Sequence, residues 1–154
     1  MARPKNLPPE QSIAFQTRRV HLAFDRLLTM RLNRHGIKAG FWHYLRALWI
    51  EEGVTQKQLS EITNVTQTTT VSLLNDMAEH GLIERDRDTQ DRRKVFVQLS
   101  DKGRSLKPSL IPYAVELNTI ATRGISKDEV AICHSVLMRM AANLEADFNS
   151  AQSP

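Results

Sequence analysis

The stretch from Thr55 to Gly103, TQKQLSEITNVTQTTTVSLLNDMAEHGLIERDRDTQDRRKVFVQLSDKG, changes its apolar period once, and that change narrows what the chain can build. Thr55 and Gln58 make a Thr-x-x-Gln capping box, so a helix starts there with Leu59 and Ile62 on one face. Thr63, Asn64 and Val65 leave room only for a turn. Thr66 then caps a second helix, in which Thr70, Leu73, Leu74 and Met77 recur as a buried stripe until Gly81 stops it. Gln67, Thr68, Val71, Ser72 and Asn75 are left on its outer face. After Gly81 the pattern alternates, giving strands over 82–87 and 92–99 joined by the polar loop Asp88, Thr89, Gln90 and Asp91. Two short helices followed by a charged hairpin read as a winged helix-turn-helix.

An outer face of amides and hydroxyls is what a DNA major groove accepts, because such groups pair with base edges and small side chains allow close approach. Gln67 is the best candidate for a bidentate contact to adenine, and Thr66, Thr68, Ser72 and Asn75 are candidates for base or phosphate contact. The plainer reading of the same residues is a solvated helix face. At the hairpin tip Arg92, Arg93 and Lys94 can lie along a phosphate backbone or enter a minor groove. Arg92 is the better candidate for that contact, since Arg93 is equally suited to a salt bridge with Asp91 that shapes the hairpin. Lys57 and Lys94 supply charge without sequence information.

The run Gly81-Leu82-Ile83-Glu84-Arg85, then Asp91-x-Arg93, then Leu99-Ser100 and Gly103, resembles the signature of the MarR family of bacterial transcription regulators. The resemblance extends over nearly the whole chain, because the flanking helices also match in number and order. It implies a homodimer in which each subunit places the second helix in a major groove and the wing beside it. It also implies that a small, often aromatic or phenolic compound releases DNA by binding between the dimer region and the reading domain. The chain departs from the pattern at Ser72, where the family often has Arg.

Charge is distributed against the simplest form of this reading. The net charge is +4, yet residues 1–50 hold nine Lys or Arg against two acids, whereas residues 53–103 hold seven against eight. Only the wing tip is locally positive. Each subunit therefore neutralises few phosphates, which makes pairing of two subunits, and the N-terminal arginines, necessary for useful affinity.

The expected architecture is mainly α with a small β-hairpin: a winged helix-turn-helix domain plus N- and C-terminal dimerisation helices. Residues 1–9, with three prolines, form a flexible arm. A dimerisation helix spans 10–35, with Ile13, Val20, Phe24, Leu27 and Leu28 on one side and Gly36 as its stop. The DNA-binding region covers 38–103, with the wing at 82–99. Within it Phe41, Trp42, Tyr44, Leu45, Leu48, Trp49 and Ile50 are dense enough to require burial. Over 104–150 come the C-terminal dimerisation helices, the first bending near Pro108 and ending at Gly124. The last starts at a Ser126/Glu129 capping box and carries Val130, Cys133, Leu137, Met140, Leu144 and Phe148 on one face. Pairing these faces with a second copy covers them, and sets two half-sites about 34 to 36 Å apart.

Other classes of function find no support. No run of about eighteen uncharged apolar residues exists. The opening MARPKNLPPEQS has no apolar core behind it to act as a secretory signal, and a cytoplasmic protein is the simplest reading. Cys133, alone and on the apolar face of the last helix, reads as a buried structural thiol rather than a redox sensor. The five histidines lack ligand spacing, so no metal or cofactor is expected, and no phosphate loop or nucleophile elbow suggests an enzyme.

An effector is suggested by two features: the aromatic hub, and a first helix rich in arginine. Trp42, His43 and Trp49 can line an aromatic pocket, while Arg18, Arg19 or Arg26 can pair with a carboxylate or phosphate. Core packing for the tryptophans and a solvated edge for the arginines is the competing account. Together they favour an anionic aromatic compound, an aromatic acid or its thioester conjugate. The leading reading is thus a repressor on a pseudo-palindromic operator, relieved by that ligand. The alternatives are an architectural DNA-binding protein without an effector and a winged-helix module that binds a protein.

Overall fold

The computed structural model describes residues 7–152. Pro9–Gln11 form a 3-10 turn, after which Ser12 accepts a hydrogen bond from the Phe15 amide and caps α1, Ile13–Asn33. A second 3-10 turn, Ala39–Phe41, leads into α2, Trp42–Leu48. There follow β1 (Val54–Thr55), α3 (Gln56–Thr63), α4 (Gln67–Glu79), β2 (Ile83–Arg87) and β3 (Val95–Leu99). The last elements are α5 (Asp101–Ser105), α6 (Lys107–Ala121) and α7 (Lys127–Gln152). The chain divides into two compact units, Met1–Leu117 and the residues from Asn118 onward. Of the expected flexible arm, residues 1–6 lie outside the described residues.

The helix starts are where the capping residues put them. Thr55 Oγ1 accepts from the Gln58 amide at 3.2 Å while Gln58 Oε1 accepts from the Thr55 amide at 2.8 Å, a complete capping box for α3. Asn64 takes the left-handed conformation at φ 54°, which an Asn tolerates better than most residues and which turns the chain between α3 and α4. Thr66 caps α4, and Gly81, at φ 68°, turns the chain from α4 into the hairpin.

The hairpin belongs to a three-stranded antiparallel sheet in the order β1-β3-β2. Ile83 faces Leu99 and Arg87 faces Val95, while Val54 of β1 pairs with Val97 on the other edge of β3. The second hairpin strand therefore begins at Val95, not at 92. Asp88 is the reason: its Oδ1 accepts from the amides of Gln90 and Asp91 at 2.7 and 2.9 Å, which curls 88–94 into a tight loop. Arg92, Arg93 and Lys94 stand on that loop. β1 has no counterpart in the sequence reading, because two residues are too few to show an alternating pattern.

The core of the first unit gathers Phe41, Tyr44, Leu45 and Leu48 against Leu59, Leu74, Met77, Leu82, Val97 and Leu99, with Leu32 and Leu110 closing it. Tyr44 and Thr70 are both buried and share a 2.9 Å hydrogen bond, which lets a threonine occupy the buried stripe of α4 without an unpaired hydroxyl. Trp49 Nε1 donates to the Gly103 carbonyl at 3.0 Å. Gly103 itself packs so closely on the Leu82 carbonyl that a Cβ there would collide with it. Around this core, Ile50 and Ile62 depart from their expected burial. Ile50 is 85% exposed, because α2 ends at Leu48 and the chain turns out toward β1, and Ile62 is exposed because only Leu59 of the α3 pair reaches the core.

Across α1 and α6, Arg31 makes a bidentate pair with Glu116, the shorter contact 2.8 Å, and His35 hydrogen-bonds the Tyr113 hydroxyl at 3.0 Å. Along α1, Phe24, Leu27 and Leu28 are half-buried, but Ile13 and Val20 of the same expected face are exposed. A break at Leu106 separates α5 from α6, just before Pro108, as the bend near that proline anticipates.

In the second unit Ser126 Oγ accepts from the Glu129 amide at 3.3 Å and Glu129 Oε2 accepts from the Ser126 amide at 2.9 Å, so α7 begins with the expected capping box. The hydrogen bonds from Ser126 hold the Glu129 carboxyl below its ordinary pKa. Ile132, Leu137, Met138, Leu144 and Phe148 are all exposed on α7. Cys133 is exposed as well, contrary to its reading as a buried thiol: an apolar helical stripe shows which face can be covered, not whether this chain covers it.

Candidate nucleic-acid interface

Three elements converge on one cleft of about 490 Å³. The start of α3 contributes Thr55, Gln56 and Lys57, α4 contributes Gln67 and Val71, and the wing loop contributes Asp91, Arg93, Lys94 and Val95. Gln67 and Val71 lie one turn apart on α4, and Asn75 continues the same row a further turn on. The row is in place because Thr70, Leu74 and Met77, on the opposite side of α4, are fully buried. Thr68 and Ser72 stand exposed beside it, and Thr66 spends its hydroxyl on the Thr69 amide, at 3.3 Å, as the helix cap.

On the wing side, Asp91 Oδ1 accepts from both the Arg93 amide, at 3.1 Å, and Arg93 Nε, at 3.2 Å. The salt bridge anticipated between these residues is therefore formed, yet the Arg93 side chain remains 93% exposed. Asp88 is held below its ordinary pKa by the backbone amides of Asp91 and Gln90, so it stays ionised and keeps the loop closed. Arg92 and Lys94 are exposed, and Lys57 lies 4.0 Å from Glu61 along α3.

Sequence reading did not identify Arg85. From β2 its Nη1 donates to Asn75 Oδ1 at 2.6 Å and reaches Gln56 Oε1 at 3.5 Å. One guanidinium thereby joins the wing to α4 and to the start of α3. Its place in the Gly-Leu-Ile-Glu-Arg run marks it only as a strand residue; ten positions separate it from Asn75.

The residues singled out for an effector fall into two groups. Trp42 and Trp49 are buried and pack edge to face with centroids 6.1 Å apart, and the Trp49 N–H is already bonded. The Arg46 guanidinium lies 5.8 Å from the Trp42 ring centroid. His43 is held below its ordinary pKa, first by burial and then by the charges of Arg46 and His21, with Asp25 opposing them. Arg19 and Arg26 border a shallow groove on α1 with Gln16, Val20 and Leu22. Arg18, Arg19 and Arg26 are exposed and have no salt-bridge partner among the described residues.

Comparison with known proteins places this geometry. The MarR family model matches residues 38–95. The chain is 31% identical over 134 residues to the HTH-type transcriptional regulator TtmR of Methylorubrum extorquens, covering 86% of this chain and 67% of that one. Among solved structures, the transcriptional regulator SlyA superposes with a TM-score of 0.85 at 21% identity, over 92% of this chain and 99% of SlyA. MepR of S. aureus, solved as a DNA complex, superposes with a TM-score of 0.80 at 21% identity, over 86% and 98% of the two chains. At those identities the structures establish the winged-helix fold. With the family model and the TtmR likeness added, the chain belongs to the MarR family of transcriptional regulators.

Proposed function

We propose that this protein is a transcriptional repressor that binds a pseudo-palindromic DNA operator as a homodimer and releases it when a small anionic aromatic ligand binds. The cleft between α4 and the wing carries the proposal. In B-DNA a sugar-phosphate strand separates the major groove from the minor groove, and the cleft offers such a strand three cations, Lys57, Arg93 and Lys94, on its walls. Gln67, Thr68, Ser72 and Asn75 then face the major groove and Arg92 and Arg93 the minor groove, with Thr66 setting the helix start. MepR, of the same fold, has been solved bound to DNA. A cytoplasmic location is part of the same reading, since it follows from a role on DNA.

Two further observations support the finer parts. Exposed Ile13, Val20 and Met30 on α1, and exposed Leu137, Leu144 and Phe148 on α7, are apolar surfaces of the kind a second copy covers. These surfaces support a dimerisation role for residues 10–35 and 104–150, with 38–103 as the reading region. For the ligand, exposed His43 stands in front of the buried Trp42 and Trp49 pair, which a ligand reaches only if that packing opens, and Arg18, Arg19 and Arg26 supply cations with no salt-bridge partner among the described residues.

The test is binding to a duplex carrying the protein's own promoter, across a salt series, with Gln67→Ala and Arg92→Ala beside the wild type. Specific binding that weakens with salt and with both substitutions is expected. Equal affinity for any duplex would instead point to an architectural role, and no binding at low salt to a protein partner. For the effector, aromatic acids and their thioesters are titrated into the complex while tryptophan fluorescence and duplex release are followed. No response to any of them removes the ligand from the proposal.

A further inference from the structure

α4 contains no Lys or Arg. Guanine is read in the major groove chiefly by Arg or Lys on its O6 and N7, so this helix lacks the side chains for the commonest guanine contact. Arg85 on β2 is held toward α4 and α3 through its Nη1, which donates to Asn75 and reaches Gln56. What the outer face of α4 offers instead is two amides, hydroxyls and one aliphatic side chain. Val71 is the only large hydrophobic residue of α4 left exposed, at 38%, and it lies in the cleft wall one turn after Gln67.

A branched aliphatic group at that place has one complementary feature on B-DNA. The thymine C5-methyl is the only apolar group that a base pair presents in the major groove, and it lies on the flank of the base nearest its own backbone. Val71 stands within the α4 row, between Gln67 and Asn75, and lines the cleft proposed to take that backbone. We infer that Val71 is a specificity-determining residue that reads a thymine methyl, next to the base pair contacted by Gln67, so that each half-site contains an A·T step at the centre of the α4 footprint. This inference rests on the operator-binding proposal above.

The adjacent Asn75 does not duplicate this reading. Arginine only donates, so the Asn75 oxygen must face Arg85, which takes one of its two lone pairs and turns the N–H groups outward. Asn75 is thereby oriented by a partner within the protein, whereas Gln67 has no side-chain hydrogen bond among the described residues and can turn its amide to adenine, with Val71 beside it as the thymine reader.

The experiment selects duplexes from a randomised pool with the full-length protein, then resynthesises the selected duplex with deoxyuridine replacing thymine one position at a time. Deoxyuridine pairs as thymine does and lacks only the methyl. The expected result is one thymine per half-site whose replacement weakens the wild type about fourfold, the value that corresponds to burying one methyl-sized group. Val71→Ala should bind the two duplexes equally, and Val71→Ile should restore the discrimination. Equal binding of both duplexes by the wild type overturns the role of Val71 while leaving operator binding intact. Selection of G·C pairs at the centre of each half-site overturns it too. Failure to enrich any sequence overturns the operator-binding proposal as well, so the two are separable.

Discussion

Arg85 Nη1 on β2 donates to Asn75 Oδ1 on α4 at 2.6 Å, so the wing and the reading helix are held by one charge-assisted hydrogen bond. Asn75→Asp keeps an acceptor for Arg85 and adds a charge partner, but it replaces the outward N–H groups with a carboxylate oxygen. The melting temperature of Asn75→Asp should match or exceed that of the wild type while its affinity for DNA falls at least tenfold. Arg85→Ala should lower both. Thermal denaturation and fluorescence anisotropy on the same samples check this, and an Asn75→Asp protein that binds DNA normally would refute it.

Tyr44 and Thr70 test how the buried stripe of α4 tolerates a hydroxyl. Thr70→Val leaves the Tyr44 hydroxyl buried without its partner and should cost about 1 to 3 kcal/mol. Adding Tyr44→Phe removes the orphaned group, and most of that loss should return. Urea unfolding of the two single variants and the double variant measures the coupling. Additive losses would show that the hydroxyls are satisfied some other way.

Gly103 has an ordinary helical backbone, so its requirement is space. A Cβ would meet the Leu82 carbonyl oxygen, which is held by the Ser100 amide at 3.0 Å and cannot retreat freely. Gly103→Ala should therefore destabilise the protein by about 1 to 3 kcal/mol, the usual range for overpacking. A melting temperature equal to the wild type's would mean that α5 shifts without cost.

Glu52 ties the end of β3 to α5: its carboxylate accepts from Arg104 Nη2 at 2.7 Å, Arg104 Nε at 2.9 Å and the Leu99 amide at 3.1 Å. These bonds, the Arg104 pair foremost, hold its pKa below the ordinary 4.5. Because the folded value is the lower one, the stabilisation is present above about pH 4.5 and is lost as pH falls through the folded value. Glu52→Gln should lower stability at pH 7 by about 0.5 to 1 kcal/mol, since the pair is partly exposed, and should flatten the decline between pH 5 and 3. Melting curves over that range, with an unchanged slope as the adverse result, decide it.

Local signals carried most of the fold. The capping boxes at Thr55/Gln58 and Ser126/Glu129, the Asn64 turn, the stop at Gly81 and the Asp91–Arg93 pair all join residues at most three or four positions apart. Such contacts are available to the chain before anything else has folded, so residue type and spacing are enough to specify them. Placement was a different matter. Arg85 meets Asn75 ten residues away, Tyr44 meets Thr70 across twenty-six, Trp49 meets Gly103 across fifty-four, and β1 exists only because β3 has an open edge for it. The same holds for exposure: Ile50, Ile62 and Cys133 look as apolar as their buried neighbours, yet this chain leaves them at its surface. Periodicity states which residues share a face, whereas burial depends on which distant element arrives to cover it, and that is settled only when the helices and the sheet pack together.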